Sequence, residues 1–329
     1  MITKKIKNFF KNKKIVVTGG TGLIGRNVVK KLCDFKSKVT VVSLDKLIAD
    51  KRAKHIYGDL ISFDFCKRIT KNKDLAFHMA GIKGSVKVTI QKPSSFFVPL
   101  IMMNTNFLEA CRINKIKRLV YTSSIGAYPS KKIFKERESS FDKQPMDMFP
   151  GWAKRMAELQ IHSYKKQFKL EKYFIVRPCN VYGPGDNFDP KNAMVIPTLI
   201  NRIYKKENPV KIWGDGSAIR DFAYSEDVAD GVILTLYNGT GKLDFLNLGG
   251  GKAYTVKKLV ETLASFLNFN YKFDSSKPSG FPKRVMDITN ARKIIGYNPK
   301  FNLQEGLRKT WYWYLNNRKE NNLRHNYFK

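Results

Sequence analysis

The sequence predicts an α/β fold, a Rossmann-type doubly wound parallel sheet followed by a smaller α/β C-terminal domain. Three observations point to it. Short β-branched apolar runs alternate with helical patterns through the first half. A glycine triplet directly follows the first run and opens a helix. After Pro178 the texture changes, with Gly and Pro denser around 180–190, 214–216, 248–251 and 276–282.

The elements follow in order. KIVVTGG (14–20) is a strand ending in Gly, and 24–33 then reads as a helix with Ile24, Val28, Val29 and Leu32 on one face. KVTVVSL (38–44), DLAFHMAG (74–81), KRLVYTSS (117–124) and KYFIVRP (172–178) are further strands, with helical patterns at 102–114 and 151–168 between them. Beyond Pro178 two helices stand out. SEDVADGVILTLYN is expected to open with Ser225 as its cap and two acids in the first turn, and TVKKLVETLASFL with Thr255. These features place a dinucleotide-binding domain at 1–178, with a return segment near 220–240, and a mainly substrate-binding domain at 179–329.

Composition narrows the class. With 329 residues, 43% hydrophobic and 13% aromatic, the chain builds a large core and is not globally disordered. Cys33, Cys66, Cys111 and Cys179 have neither metal-ligand nor disulfide-framework spacing, so a reducing cytoplasm is expected. No apolar stretch of about 18 residues predicts a membrane span. The first ten residues carry Ile2, Ile6, Phe9 and Phe10 on one potential helical face among lysines; that face could meet a membrane or partner, but a simple extension before the first strand is the plainer expectation. The net charge is +34, yet 46 of the 61 cations are Lys and they are spread over the whole chain. A solvated basic surface is expected, attraction to polyanionic small molecules comes next, and nucleic acid is not expected as a partner.

TGGTGLIG places Gly19, Gly22 and Gly25 in a G-x-x-G-x-x-G pattern between strand and helix. Gly19 allows the tight turn, Gly22 lets backbone approach a pyrophosphate, and Gly25 lets the helix pack closely. The helix N-terminus then presents free N–H groups to phosphate. Asp45, 20 residues after Gly25, suits an adenosine ribose; Ser43 with Lys46, Lys51 and Arg52 suits a 2′-phosphate equally well, so NAD and NADP both stay open. Asp59 is a candidate for the adenine edge or an ordinary turn Asp.

TGGTGLIG, GDL (58–60), HMAG (78–81), TSSIGAY (122–128), AKRMAE (153–158), RPCNVYGPGDNF (177–188) and RDFAYSEDVA (220–229) resemble, in order, the extended short-chain dehydrogenase/reductase family, the NAD-dependent epimerases and dehydratases of nucleotide sugars. The second half is most similar to its GDP-L-fucose synthase branch, through 180–197, 212–222 and 276–288. The resemblance implies NAD(P) bound additionally by Leu23, Ile24, Leu60, Ala80, Gly81, Lys154 and Pro178. It implies a nucleotide-diphosphate sugar held by Ser124, Asn180, Val195, Ile196, Trp213 and Arg220, where a structural salt bridge of Arg220 to Asp221 or Asp227 is the plain alternative. It places His78 in the cofactor wall and suggests a homodimer through two long helices.

The resemblance also implies a Tyr that moves the sugar-hydroxyl proton, a Lys four residues later that lowers its pKa, and a Ser/Thr on the same oxygen. Ser124 and Lys154 match the last two, but four before Lys154 stands Pro150. Tyr128 and Lys132 repeat the spacing too soon after Ser124, with Pro129 between them. Leu100 falls where many relatives carry Asn. Gly126 and Asp189 fall where the GDP-L-fucose synthase branch carries its epimerising Cys and His, so 3,5-epimerisation is not inherited; Cys179 nearby is expected to be structural. A water held by Ser124 and Lys154, or a side chain such as Asp186, Asp189 or Tyr128, would have to replace the phenol. The expected activity is nucleotide-sugar oxidoreduction, epimerisation or dehydration; the alternatives are a cofactor- and ligand-binding protein without turnover and an RNA-binding member of the family. No metal set is expected.

Overall fold

The computed structural model describes residues 2–138, 141–190, 192–241 and 243–325. A short helix α1 (Lys4–Phe10) precedes β1 (Lys14–Thr18), α2 (Gly25–Asp34), β2 (Lys38–Ser43) and β3 (Lys54–Tyr57). Then come α3 (Phe63–Thr70), β4 (Leu75–His78), α4 (Val86–Gln91), α5 (Ser94–Ile113) and β5 (Arg118–Thr122). After the short β6 (Ile133–Phe134) follow α6 (Met148–Phe168), β7 (Tyr173–Pro178) and β8 (Asn180–Tyr182). The remainder contains α7 (Val195–Tyr204), β9 (Val210–Trp213), β10 (Ile219–Tyr224), α8 (Ser225–Asn238), β11 (Leu246–Leu248), β12 (Ala253–Thr255) and α9 (Val256–Ala264). It closes with β13 (Tyr271–Asp274), β14 (Lys283–Met286), α10 (Thr289–Ile295) and α11 (Leu303–Asn317).

Among the described residues the main sheet has seven strands in the order β11-β7-β5-β4-β1-β2-β3, every adjacent pair parallel. The chain runs outward from β1 in both directions, so right-handed crossovers put helices on both faces: α3, α5 and α6 pack together, and α2, α8 and α10 pack together. This is the doubly wound fold that the sequence predicts. A second sheet runs β12-β10-β14-β6 with β8 on β10, and β13 pairs with β9. The second apolar cluster, with Tyr182, Ile200, Phe222, Leu259 and Leu307, lies under these strands, while 223–248 and 286–297 return to the first cluster.

Three expectations change. The N-terminus is a helix, not a simple extension: Ile6 and Phe10 are buried in the main core, and Phe9 meets Tyr237 edge-on at 5.1 Å, so the apolar face is satisfied by this chain itself. Ser225 is the first helical residue, not the cap; it is wholly buried, and its Oγ accepts from Asn27 at 3.1 Å. The helix expected from 151 starts at Met148, with Asp147 as N-cap and Pro150 in the first turn, where a missing N–H costs little.

Helix α6 is fixed from one face by three charged side chains. Glu158 and Arg177 are both fully buried and form a two-pronged pair from α6 to β7, at 2.8 and 2.5 Å. The Arg177 guanidinium is stacked 3.7 Å over Phe245 and 4.3 Å over Tyr128. Arg155 donates to the Ala127 carbonyl at 2.7 Å, and Lys154 to the Thr122 carbonyl at 2.8 Å. Glu158→Ala leaves Arg177 as an uncompensated buried charge, and urea unfolding should show a loss of about 3–5 kcal/mol. A loss below about 1 kcal/mol would contradict this role for the pair.

Candidate functional site

The site builds at the C-terminal edge of the main sheet, where the strand order reverses between β1 and β4. Gly19 ends the turn after β1 with φ +65°, and a Cβ there would stand 2.6 Å from the Ala80 amide nitrogen after β4. A Cβ on Gly25 would collide with the Gly19 carbonyl, whereas one on Gly22 would meet only that carbonyl, at 3.2 Å. The loop is therefore closed against its own backbone and open along Gly22, ahead of the N-terminus of α2. A dinucleotide pyrophosphate fits this arrangement. Leu23 and Ile24 are half-buried beside it, and Gly81 is exposed.

At the tip of β2, Thr21 Oγ1 lies 2.7 Å from Ser43 Oγ and donates to Asp45 at 2.8 Å. Asp45 also accepts the His325 amide at 2.8 Å, Lys46 N–H donates to the Leu323 carbonyl at 3.1 Å, and Arg26 pairs with Glu320 at 2.9 Å. The C-terminal segment thus lies along this edge, and both ribose-binding candidates already have internal partners. Asp59 is exposed and caps the Ile61 amide at 3.0 Å, which is the turn reading. The side chains of Leu60 and Pro178 are buried, leaving little but backbone to meet a ligand.

His78 needs correction. It is wholly buried, held at 2.7 Å from Thr18 Oγ1 and 2.9 Å from Asn104 Oδ1, and burial pushes its pKa down to about 3. It is a neutral core imidazole and does not line the site. Tyr128 likewise is a core residue: its hydroxyl donates to Asn247 at 2.9 Å and burial raises its pKa. Leu100 is wholly buried, while Asn104, one turn on, supplies the polar group that orders His78 and Tyr121.

Ser124 and Lys154 come together at the end of β5. Ser124 caps the 3-10 turn Ile125–Ala127, its Oγ accepting the Gly126 amide at 3.0 Å. The Lys154 ammonium lies 5.0 Å from the Tyr121 ring centroid, and a Cβ on Gly81 would stand 3.4 Å from it. Burial pushes its pKa down to about 8. Gly151 fits α6 against this turn, since its Cβ would stand 2.6 Å from the Gly126 carbonyl.

The other candidates follow β7 in the chain, most of them around the second sheet and the second apolar cluster. Asn180 donates to the Asp221 carbonyl at 3.1 Å, and Trp213 is 65% exposed at the end of β9. Arg220 makes no ion pair with Asp221 or Asp227, which accept backbone amides instead. Its guanidinium donates to the Phe281 carbonyl at 2.6 Å and sits beside Arg284, its register partner on β14. Val195 is partly exposed at the start of α7; the Ile196 side chain is buried in the second core, so it does not form an open pocket wall. Asp186 is buried and tied to Lys83 at 3.0 Å, and Asp189 lies within hydrogen-bonding reach of Asn192 at 3.5 Å. Cys179 is buried, with its thiol pKa raised well above the ordinary value.

Two charged groups beside the site escaped the sequence reading, Asp147 and Arg284, which lie 3.8 Å apart. The available signal was weak: an Asp three residues before a Pro in a helix's first turn, and an Arg next to a Lys and ahead of two apolar residues in KRVM.

The family model described as NAD dependent epimerase/dehydratase family matches residues 15–249. A GDP-L-colitose synthase of Yersinia pseudotuberculosis is 30% identical over 92% of this chain and 98% of its own length. A probable GDP-L-fucose synthase of Oryza sativa subsp. japonica is also 30% identical, over 93% of each chain. Among solved structures, a UDP-glucose 4-epimerase from Thermotoga maritima with UDP-glucose superposes with a TM-score of 0.78 at 27% identity, covering 92% of this chain and 98% of that one.

The Lys154 ammonium should titrate near 8, followed by NMR of nitrogen-labelled lysine, and Lys154→Met should remove that resonance. Because the folded value lies below the ordinary one of about 10.4, the unfolded chain holds more protons between these pH values, so this group makes stability rise with pH across that window. A titration at the ordinary lysine value contradicts the buried placement.

Proposed function

The chain belongs to the NAD dependent epimerase/dehydratase family, and on that premise we propose an NAD(P)-dependent enzyme acting on a GDP- or UDP-sugar through a site with no phenol four residues before its lysine. The family's cofactor, when bound, supplies hydride chemistry. Here the backbone of Gly19–Gly25 holds its pyrophosphate, and Ser43 or Asp45 its adenosine ribose. Asp59, Leu60, Ala80, Gly81 and Pro178 lie along its length, and Lys154 holds the nicotinamide ribose. Ser124 positions the reacting sugar hydroxyl. Asn180, Val195 and Trp213 contact the nucleotide sugar, and Arg220 binds its diphosphate by two-pronged geometry.

The observation that carries this reading is the meeting of Lys154, Gly81 and the end of β5 beside a glycine loop that fits a dinucleotide. Arg220 supports the diphosphate assignment: it lies beside Arg284 and, unlike Arg284 with Asp147, has no carboxylate partner among the described residues. Exposed apolar residues on the two long helices, Val98 and Met102 on α5 and Met156 and Leu159 on α6, support a homodimer through that face. All four cysteines are free and buried, in keeping with a cytoplasmic setting.

Purified protein should convert one member of a panel of GDP-, UDP- and dTDP-sugars and their 4-keto forms in the presence of NAD(H) or NADP(H), with products read by mass spectrometry. Pro150→Tyr should raise that reductase activity by about tenfold or more, as a positioned proton carrier does. No gain with the fold preserved contradicts the placement of position 150. Tight nucleotide-sugar binding without turnover favours the binding-protein reading instead.

A further inference from the structure

Helix geometry puts residues 147, 150 and 154 on one face of α6, because three and seven residues are close to one and two turns. That face looks onto the turn holding Ser124 and Gly126. Asp147 is the N-cap of α6, yet its side chain makes no capping bond. An N-cap carboxylate accepts the N–H of the second or third helical residue; the third here is Pro150, which has none, and the Asp147 carboxylate does not take that of the second, Phe149, either. Released from the helix end, the carboxylate turns onto the Gly126 Cα, so closely that a Cβ on Gly126 would collide with Oδ2.

The side chain remains 40% exposed, open to a ligand, and its only ion-pair partner among the described residues is Arg284, at 3.8 Å. We propose that Asp147 is the proton-carrying catalytic residue of this site, occupying the space in front of Gly126 and replacing the phenol absent at position 150. This rests on the nucleotide-sugar reading above. In the oxidising direction the sugar O–H bond breaks and its electron pair forms the carbonyl. The C–H pair leaves the same carbon as hydride for the cofactor, and the proton passes to an Asp147 oxygen; reduction reverses each transfer.

Geometry and charge agree with this role. Withdrawal from water on its protein-facing side raises the partly exposed carboxyl above its usual range and Arg284 on β14 partly offsets the shift, which favours a group able to hold and release a proton. The other cations near this face are Lys154 on α6, bonded to the Thr122 carbonyl, and Arg220 on β10, bonded to the Phe281 carbonyl. Neither neutralises Asp147 directly. Of the alternatives the sequence offered, Asp186 is tied to Lys83 and Tyr128 to Asn247.

The test compares wild type, Asp147→Asn and Asp147→Asn with Pro150→Tyr in the intact chain. Turnover is measured on the panel, and binding of UDP-glucose and GDP-L-fucose by calorimetry in two buffers of different ionisation enthalpy. Asp147→Asn is expected to lower kcat/KM about 100-fold or more, to leave nucleotide-sugar affinity within about threefold, and to abolish the buffer-dependent proton exchange that accompanies binding. The double variant is expected to recover activity, because the added phenol takes over the proton. Asp147→Ser serves the same comparison if the Asn variant unfolds. An Asp147→Asn protein within threefold of wild type and with unchanged proton exchange overturns the assignment while the enzymatic reading stands. A wild-type protein that binds but converts no member of the panel overturns both.

Discussion

The buried pair of Glu158 and Arg177 is the constraint on which the site depends. Two charges without solvent contact are tolerable only when each meets the other in full and remaining surfaces are covered, here by the Phe245 and Tyr128 rings. The pair fixes the rotation of α6 about its own axis as well as its distance from β7. Lys154 lies one turn before Glu158, so that rotation aims its ammonium at the end of β5, and the same face one turn and two turns earlier presents position 150 and Asp147. Arg155, bonded to the Ala127 carbonyl, locks the turn carrying Ser124 to the same helix. The geometry of the candidate site is thereby set by core electrostatics on the inner side of α6.

Much of this was legible in the sequence because it is written in local pattern. The glycine triplet between a β-branched run and a helix demands one backbone path, short continuous apolar runs identify β1, β2, β4, β5 and β7, and a period-3.6 apolar face identifies α2. Thr255 caps α9 as expected, its side chain accepting the Lys258 amide at 3.0 Å. The errors have tertiary causes. A seven-residue basic segment has little helix stability alone, and only the docking of Ile6 and Phe10 on the core makes α1. Ser225 carries a capping chemistry, but the turn begins one residue earlier and the hydroxyl is used by Asn27. His78 in HMAG reads like a site residue until Thr18 and Asn104, brought from 60 and 26 positions away, enclose it.

The candidate site was less legible. The glycine loop was found because residue type and spacing mark it, whereas Ser124, Lys154 and Gly81 were reached only through the resemblance of their motifs to the family's. Asp147 and Arg284 belong to different elements of the chain and meet only through β14 pairing with β6 and β10. A proline in place of a tyrosine looked like a simple loss; in three dimensions it also removes one of the two amides an N-cap carboxylate can accept from, and Asp147 makes no capping bond. The net charge of +34 points in the same direction by contrast. Its lysines spread over the surface, whereas the few arginines that matter, Arg177, Arg220 and Arg284, are each placed against a specific group.

The most direct measurement of the central claim is a crystal structure of the protein with NAD(P) and a nucleotide sugar bound. The account predicts a sugar hydroxyl within about 2.6–3.2 Å of an Asp147 carboxylate oxygen, with Ser124 on the same hydroxyl, the Lys154 ammonium on the cofactor ribose and Arg220 on the diphosphate. A sugar bound out of reach of Asp147, with another ionisable side chain on the reacting hydroxyl, would contradict it.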